Sequence, residues 1–167
     1  KSPPDGYTLL MGSKSQLTIN PLLYGRAGFD PARDLAPVSL IASSPSGLMV
    51  HPLLPVTSLK EFTALVRAHP AKLSYASAGN GSANHLAAEL YKMLAKVDLL
   101  HVPFKGGGPA LNAVVGGQIE VIFISVPLTL PFVKAGRLRV LAVCADKRIA
   151  VMPHVPTMAE AGLSGHE

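Results

Sequence analysis

Apolar positions along the chain change their period repeatedly, and each change marks an element. Leu59, Phe62, Leu65 and Val66 share one helical face, opened by the capping box Ser58-Leu59-Lys60-Glu61 and stopped by Pro70. The strand-like run Lys72 to Ala76 leads through a glycine-rich turn into a second helical stripe, Leu86, Leu90, Met93, Leu94 and Val97. That is a βα unit. A second one pairs the strand Leu99 to Phe104 with a helix that follows Gly106-Gly107-Gly108, carries Pro109 at its first position and closes at Gly116-Gly117. Ile119 to Ser125 is a continuous apolar strand apart from Glu120. Pro127 to Ala135 then reads as a short helix stopped by Gly136, and Leu138 to Val143 as another strand.

Weaker signals flank these units. Tyr7 to Met11 reads as a short buried strand ended by Gly12, and Ala36 to Ala42 with Gly47 to His51 as two extended segments around Ser43-Ser44-Pro45-Ser46. Thr157-Met158-Ala159-Glu160 is another capping box, which predicts a short helix ending at Gly162. The alternation βαβαβαβ with apolar strands predicts an α/β fold whose mainly parallel sheet is covered by helices on both faces. Ligands of such sheets bind beyond the carboxyl ends of the strands, which selects the turns at Ser77 to Asn84, Lys105 to Gly108 and Ser125 to Pro127.

Composition narrows the picture. At 167 residues, 49% hydrophobic and 15% charged, the chain buries enough apolar surface to exclude disorder and is long enough for one domain, or one lobe with part of another. Fifteen Gly and fifteen Pro fit many short elements joined by defined turns. Cys144, the single cysteine, can form neither an internal disulfide nor a thiolate cluster for zinc. The apolar run from Ile119 to Phe132 is broken by Glu120, Pro127 and Pro131, so membrane insertion is not expected. A net charge of +5 favours anionic partners in general. Dispersed basic residues, absent Trp and 5% aromatics argue against nucleic acid as that partner. The opening Lys1-Ser2-Pro3-Pro4, with no initiator Met and no apolar leader, reads as the start of an excised piece.

The most informative stretch for chemistry is Ser77-Ala78-Gly79-Asn80-Gly81-Ser82-Ala83-Asn84-His85. Gly79 and Gly81 let the backbone turn sharply and approach a ligand, and a helix start presents free N–H groups to an anion. Ser77, Ser82 and Asn80 add neutral donors, and His85 lies on the first turn of the helix. The plain alternative is a tight turn with Ser82 or Asn84 as N-cap. A Rossmann-like nucleotide-binding enzyme domain is the competing function, but Asn84 replaces the third glycine of its fingerprint and Asp98 precedes the next strand instead of ending it. Gly106-Gly107-Gly108 lacks the Gly-Lys-Ser/Thr order of a P-loop and fits close backbone approach to a ligand or a neighbouring lobe. No Gly-x-Ser-x-Gly elbow, carboxylate pair or metal-ligand spacing occurs, so the chain reads as a binder without catalytic residues, metal or cofactor.

Several segments, in order and spacing, resemble the Bug family, the TctC-like solute-binding proteins of tripartite tricarboxylate transporters. They include Pro3-Pro4-Asp5-Gly6-Tyr7-Thr8-Leu9-Leu10, Leu73 through Ser82, His85-Leu86-Ala87, His101-Val102-Pro103-Phe104-Lys105-Gly106-Gly107, and Val155 through Leu163. The resemblance implies a periplasmic, two-lobed (type II, Venus-flytrap) receptor for a small carboxylate, with membrane transporter subunits as partners. It implies a truncated form, with residues 1–40 as a remnant of lobe one and 41–167 as lobe two. Carried onto this sequence, the lobe-two ligand loop falls on Ser77, Ala78, Gly79, Asn80, Gly81 and Ser82 with His85 behind it, and the lobe-one contact on Gly12 and Ser13. The neighbouring strand end falls on Ile124 and Ser125. Family members often carry a polar or acidic residue where Ile124 stands, so a site that prefers ligands without a free amine is expected.

Overall fold

The computed structural model describes residues 2–25 and 28–166; Lys1 and Glu167, the outer ends of the two expected lobe segments, lie outside the described residues. The chain divides into two units, Lys1–Ser39 and Leu40–Glu167.

In the larger unit five strands form one sheet: β1 (Ser46–Val50), β2 (Ser74–Ser77), β3 (Leu100–Pro103), β4 (Val121–Ser125) and β5 (Arg139–Cys144), in the order β3-β2-β4-β1-β5. β2 runs parallel to both β3 and β4, whereas β1 is antiparallel to β4 and β5. Four strands therefore point one way. Their alternation sends successive side chains to opposite faces and builds two cores. Leu48, Val50, Tyr75, Val121 and Phe123 pack against α3 (Leu59–Ala68) and α4 (Ala83–Ala95). Met49, Ala76, Ile122 and Ile124 pack against α5 (Gly107–Val115), with Val126 of α6 (Val126–Lys134) in the same cluster. Apolar residues on both faces of β1, β4 and β5 produce the continuous runs seen in the sequence.

Local chemistry fixes the helix ends. The Ser58 hydroxyl accepts from the Glu61 N–H at 3.2 Å, and the Glu61 carboxylate accepts from the Thr57 N–H at 2.6 Å. α5 begins two residues earlier than expected, at Gly107, because Gly106 with φ 115° makes the turn; Pro109 becomes its third residue, where its missing N–H costs no intrahelical bond. α4 buries Ala88, Tyr91 and Ala95 instead of the expected leucine stripe, leaving Met93 66% exposed and Leu86, Leu90 and Leu94 half-buried. Two alanines bring the helix close to the sheet, and the Tyr91 ring lies 5.7 Å from both Phe62 and Phe123.

Three expected elements are absent among the described residues. Tyr7 to Met11 is not a strand: no neighbouring strand takes its ladder bonds, and Tyr7, Leu9 and Met11 lie exposed. Ala36 to Ala42 is likewise irregular, and only Ser46–Val50 of that region joins the sheet. The Thr157–Glu160 capping box forms, with Thr157 N–H to Glu160 at 2.9 Å and Glu160 N–H to Thr157 Oγ1 at 3.1 Å. It opens only turns, because Gly162 at φ 94° diverts the backbone before an α-helix is established.

The smaller unit holds a π-helical turn (Ser15–Ile19) running into α1 (Asn20–Tyr24), followed by α2 (Pro31–Asp34). Ser13 starts it. Its N–H donates to the Gln16 side chain at 3.1 Å, the Gln16 N–H donates back to Ser13 Oγ at 3.4 Å, and the Leu17 N–H reaches Ser13 O at 3.0 Å.

Candidate functional site

Because β2 and β4 run parallel and side by side, their carboxyl ends deliver Ser77 and Ser125 to the same edge of the sheet. A groove of about 260 Å³ opens there, lined by Ser44, Ser46, Ala78, Ala83, Asn84, Gly107, Phe123, Ile124, Ser125 and Leu128. Three helix starts meet in it. Ala83 and Asn84 are the first residues of α4, Gly107 is the first of α5, and Ser125 is the N-cap of α6. Among these three α4 has a side-chain cap, Ser82 Oγ accepting from the His85 N–H at 3.3 Å; α5 and α6 have none, although the Val126 N–H of α6 donates to the Pro45 carbonyl at 2.9 Å and Pro127 has no N–H. N–H groups in a first turn lack intrahelical acceptors and carry the positive end of the helix dipole, so this groove favours an anion.

Among the described residues the lining has no formally charged side chain. Its polar groups are Ser44, Ser46, Asn84 and Ser125, with Ser44 and Ser125 hydroxyls 2.5 Å apart. The Asn84 side-chain amide donates to the carbonyl of Phe123 and ties the α4 start to β4. Ile124, 3% exposed, contributes the apolar wall. A second groove, of about 630 Å³, lies beside β5 and is lined by Lys60, Arg139 and Glu160 among others. It is larger but less suited to an anion. Arg139 is spent on the carbonyl of Val56 at 2.5 Å, the Glu61 carboxylate occupies the α3 start, and the last turn of α6 brings carbonyl groups to that side.

The expected site residues divide into groups. Ala78, Gly107, Ile124 and Ser125 line the groove, while Ser77, Gly79, Asn80, Gly81, Ser82, His85 and Gly106 build the loops that shape it. Gly79 (φ 116°) and Gly81 (φ 73°) have the backbone that glycine adopts without strain, and a Cβ on Gly79 would stand 3.4 Å from the Phe104 carbonyl. Gly12 and Ser13 belong to the smaller unit. Sequence reasoning missed Ser44 and Ser46, which arrive through β1 and the segment before it, and it placed Ala83 and Asn84 in the ligand turn without naming them as contacts; the N-cap it offered to Ser82 or Asn84 is Ser82. The Asn at the second helical position was the available signal.

Behind the loop lies a polar cluster that the sequence did not disclose. Ser77, fully buried, accepts at Oγ from the Gly79 N–H at 3.1 Å and stands 2.6 Å from His101 Nε2. His85 Nδ1 accepts from the Gly81 N–H at 3.2 Å, so the neutral ring carries its hydrogen on Nε2. The His85 and His101 rings stack at 4.3 Å, and His101 stacks on Tyr75 at 4.8 Å. The Tyr75 hydroxyl donates to Glu89 at 2.6 Å, and Lys92 bridges Glu89 at 3.0 Å and Asp98 at 3.3 Å. Burial, then the neighbouring His85, holds His101 below the ordinary histidine value. Burial alone would raise Glu89, but the Tyr75 hydroxyl and Lys92 outweigh it and keep the carboxyl low.

An α/β/α unit with a crevice at the strand ends is an architecture that solute-binding proteins share with nucleotide-binding domains, and solved structures similar to it are periplasmic solute-binding proteins. Rpa4515 from R. palustris, determined with adipate, is 39% identical with a TM-score of 0.93, over 100% of this chain and 56% of that one. MatC (Rpa3494) from Rhodopseudomonas palustris, with bound malate, is 33% identical with a TM-score of 0.80, over 93% of this chain and 51% of that one. The model of the tripartite tricarboxylate transporter family receptors, TctC, matches residues 1–167, and the chain belongs to that family. Among curated relatives, the UPF0065 protein of the tcbD-tcbE intergenic region of Pseudomonas sp. (strain P51) is 39% identical over 168 residues, 100% of this chain and 50% of its own length. The chain thus spans about half the length of that relative.

Proposed function

We propose that this chain is part of an extracytoplasmic receptor that binds a small carboxylate in the groove between the starts of α4, α5 and α6, and passes it to a tripartite tricarboxylate-type transporter in the periplasm. The convergence of three helix starts on an uncharged groove carries this reading. Neutral donors and helix dipoles hold a carboxylate without burying a cation, whose desolvation would have to be offset. Ala78, Ala83, Asn84, Gly107 and Ser125 are the ligand contacts, with Ser77, Gly79, Asn80, Gly81, Ser82, His85 and Gly106 shaping their backbone. The unit Leu40–Glu167 is lobe two of a two-lobed receptor, and Lys1–Ser39, with Gly12 and Ser13, belongs to lobe one. The adipate and malate carried by the two solved relatives support the ligand class. No step changes the ligand: it binds reversibly and leaves intact.

A thermal-shift panel tests this against a nucleotide-binding enzyme. A ligand at 100 times its dissociation constant stabilises the native state by about 2.7 kcal/mol. Dicarboxylates such as adipate and malate should raise the melting temperature while NAD and ATP leave it unchanged. Stabilisation by a nucleotide and by no carboxylate would overturn the reading.

A further inference from the structure

Both glycines of the loop after β2 are tied to histidines. Gly79 N–H donates to Ser77 Oγ, which is held by His101 Nε2; Gly81 N–H donates directly to His85 Nδ1. The two imidazoles stack on each other, so the two ties form one brace. Strand register puts it there. His101 on β3 stands opposite Tyr75 on β2, Ser77 follows two residues later on the same face, and α4 lays His85 over them. We propose that His101 is a positioning residue for the anion loop, forming with His85 a stacked imidazole pair that fixes the backbone at Gly79 and Gly81. Its effect on affinity rests on the carboxylate reading above; its effect on the loop does not.

The brace depends on the neutral state of His101. A proton on His101 places a charge in the stack against His85. The groups facing that charge are Tyr75 and Ser77 on β2, and His85, Glu89 and Lys92 on α4. Of these only Glu89 opposes it, and Glu89 is already shared between the Tyr75 hydroxyl and Lys92. Acidification therefore loosens the loop, and carboxylate affinity falls. A histidine that contacted the anion directly as a cation would give the opposite trend.

The test follows backbone amides and histidine ring protons of the chain by NMR from pH 8 to pH 5, without ligand and with adipate. The Gly79 and Gly81 amide shifts should follow the ring titration of His101. The adipate dissociation constant should rise roughly threefold more at the acid end than it does in His101→Gln, as the braced fraction falls. His101→Gln, whose amide can still meet Ser77 but cannot titrate, should retain the affinity measured at pH 8 and keep only the pH dependence that the carboxyls of adipate impose. Gly79 and Gly81 amides indifferent to the His101 titration, or adipate affinity with the same pH dependence in His101→Gln as in the unaltered chain, would overturn the proposal. Adipate leaving every amide unshifted, while both glycines still track His101, would uphold the brace and remove the carboxylate reading instead.

Discussion

Ser82 and Ile124 make the clearest residue-scale expectations. Ser82 Oγ accepts the His85 N–H and closes the one capped helix start in the groove. Ser82→Ala should lower the unfolding free energy by about 1 kcal/mol, the ordinary value of a lost serine N-cap, in a urea titration. Stability within a few tenths of the unaltered chain would mean that the cap bond contributes nothing. Ile124 stands buried at the end of β4, and among the described residues the groove lining contains no carboxylate to meet an ammonium. Leaving an ammonium unpaired there costs free energy, so calorimetry should rank dicarboxylates above aspartate and glutamate of similar size. A preference for the amino acids would contradict the assignment of Ile124 to the ligand wall.

At the scale of elements, capping boxes were the most legible signals. Those at Ser58–Glu61 and Thr157–Glu160 both form, and they make the chain acid-sensitive. The Thr57 N–H and hydroxyl hold the Glu61 carboxyl below its ordinary range, and the Thr157 N–H with Arg148 does the same for Glu160. A carboxyl lowered on folding adds stability that is full above its unfolded value of 4.5 and is lost as pH falls through the lower folded value. Urea midpoints should therefore decline from about pH 5 to pH 3, and Glu61→Gln should make that decline shallower. An unchanged slope would show that the Glu61 bonds are absent in solution. The strands and helices of the larger unit were legible because their apolar periods and glycine stops are local. What escaped was non-local. The reversed direction of β1, the face of α4 set by two alanines, and the His85–His101 stack all depend on what meets across the sheet. Tyr7 to Met11 carries a strand-like pattern, but a strand also needs a neighbour, which its own residues cannot announce.

For the whole molecule, the order of motifs sufficed to place the chain in the TctC family, and the strand-end rule led to three turns, each of which contributes to or borders the groove. Ser44 and Ser46 lie beyond that rule, since an antiparallel strand brings its amino end to the same edge. The chain carries +5, yet the groove lining among the described residues is uncharged. Binding should then depend little on salt: raising NaCl from about 50 to 500 mM should change adipate affinity by less than about twofold, because screening acts on formal charges and only weakly on partly buried dipoles. A loss of tenfold or more would point to lysine or arginine contacts instead. The most direct test of the central claim is a map of amide shifts as adipate is titrated into the isotopically labelled chain. The shifts should concentrate at Ala78, Ala83, Asn84, Gly107 and Ser125, where three helix starts meet. Shifts confined to Lys60, Arg139 and Glu160 in the groove beside β5, or spread evenly over the surface lysines, would contradict it.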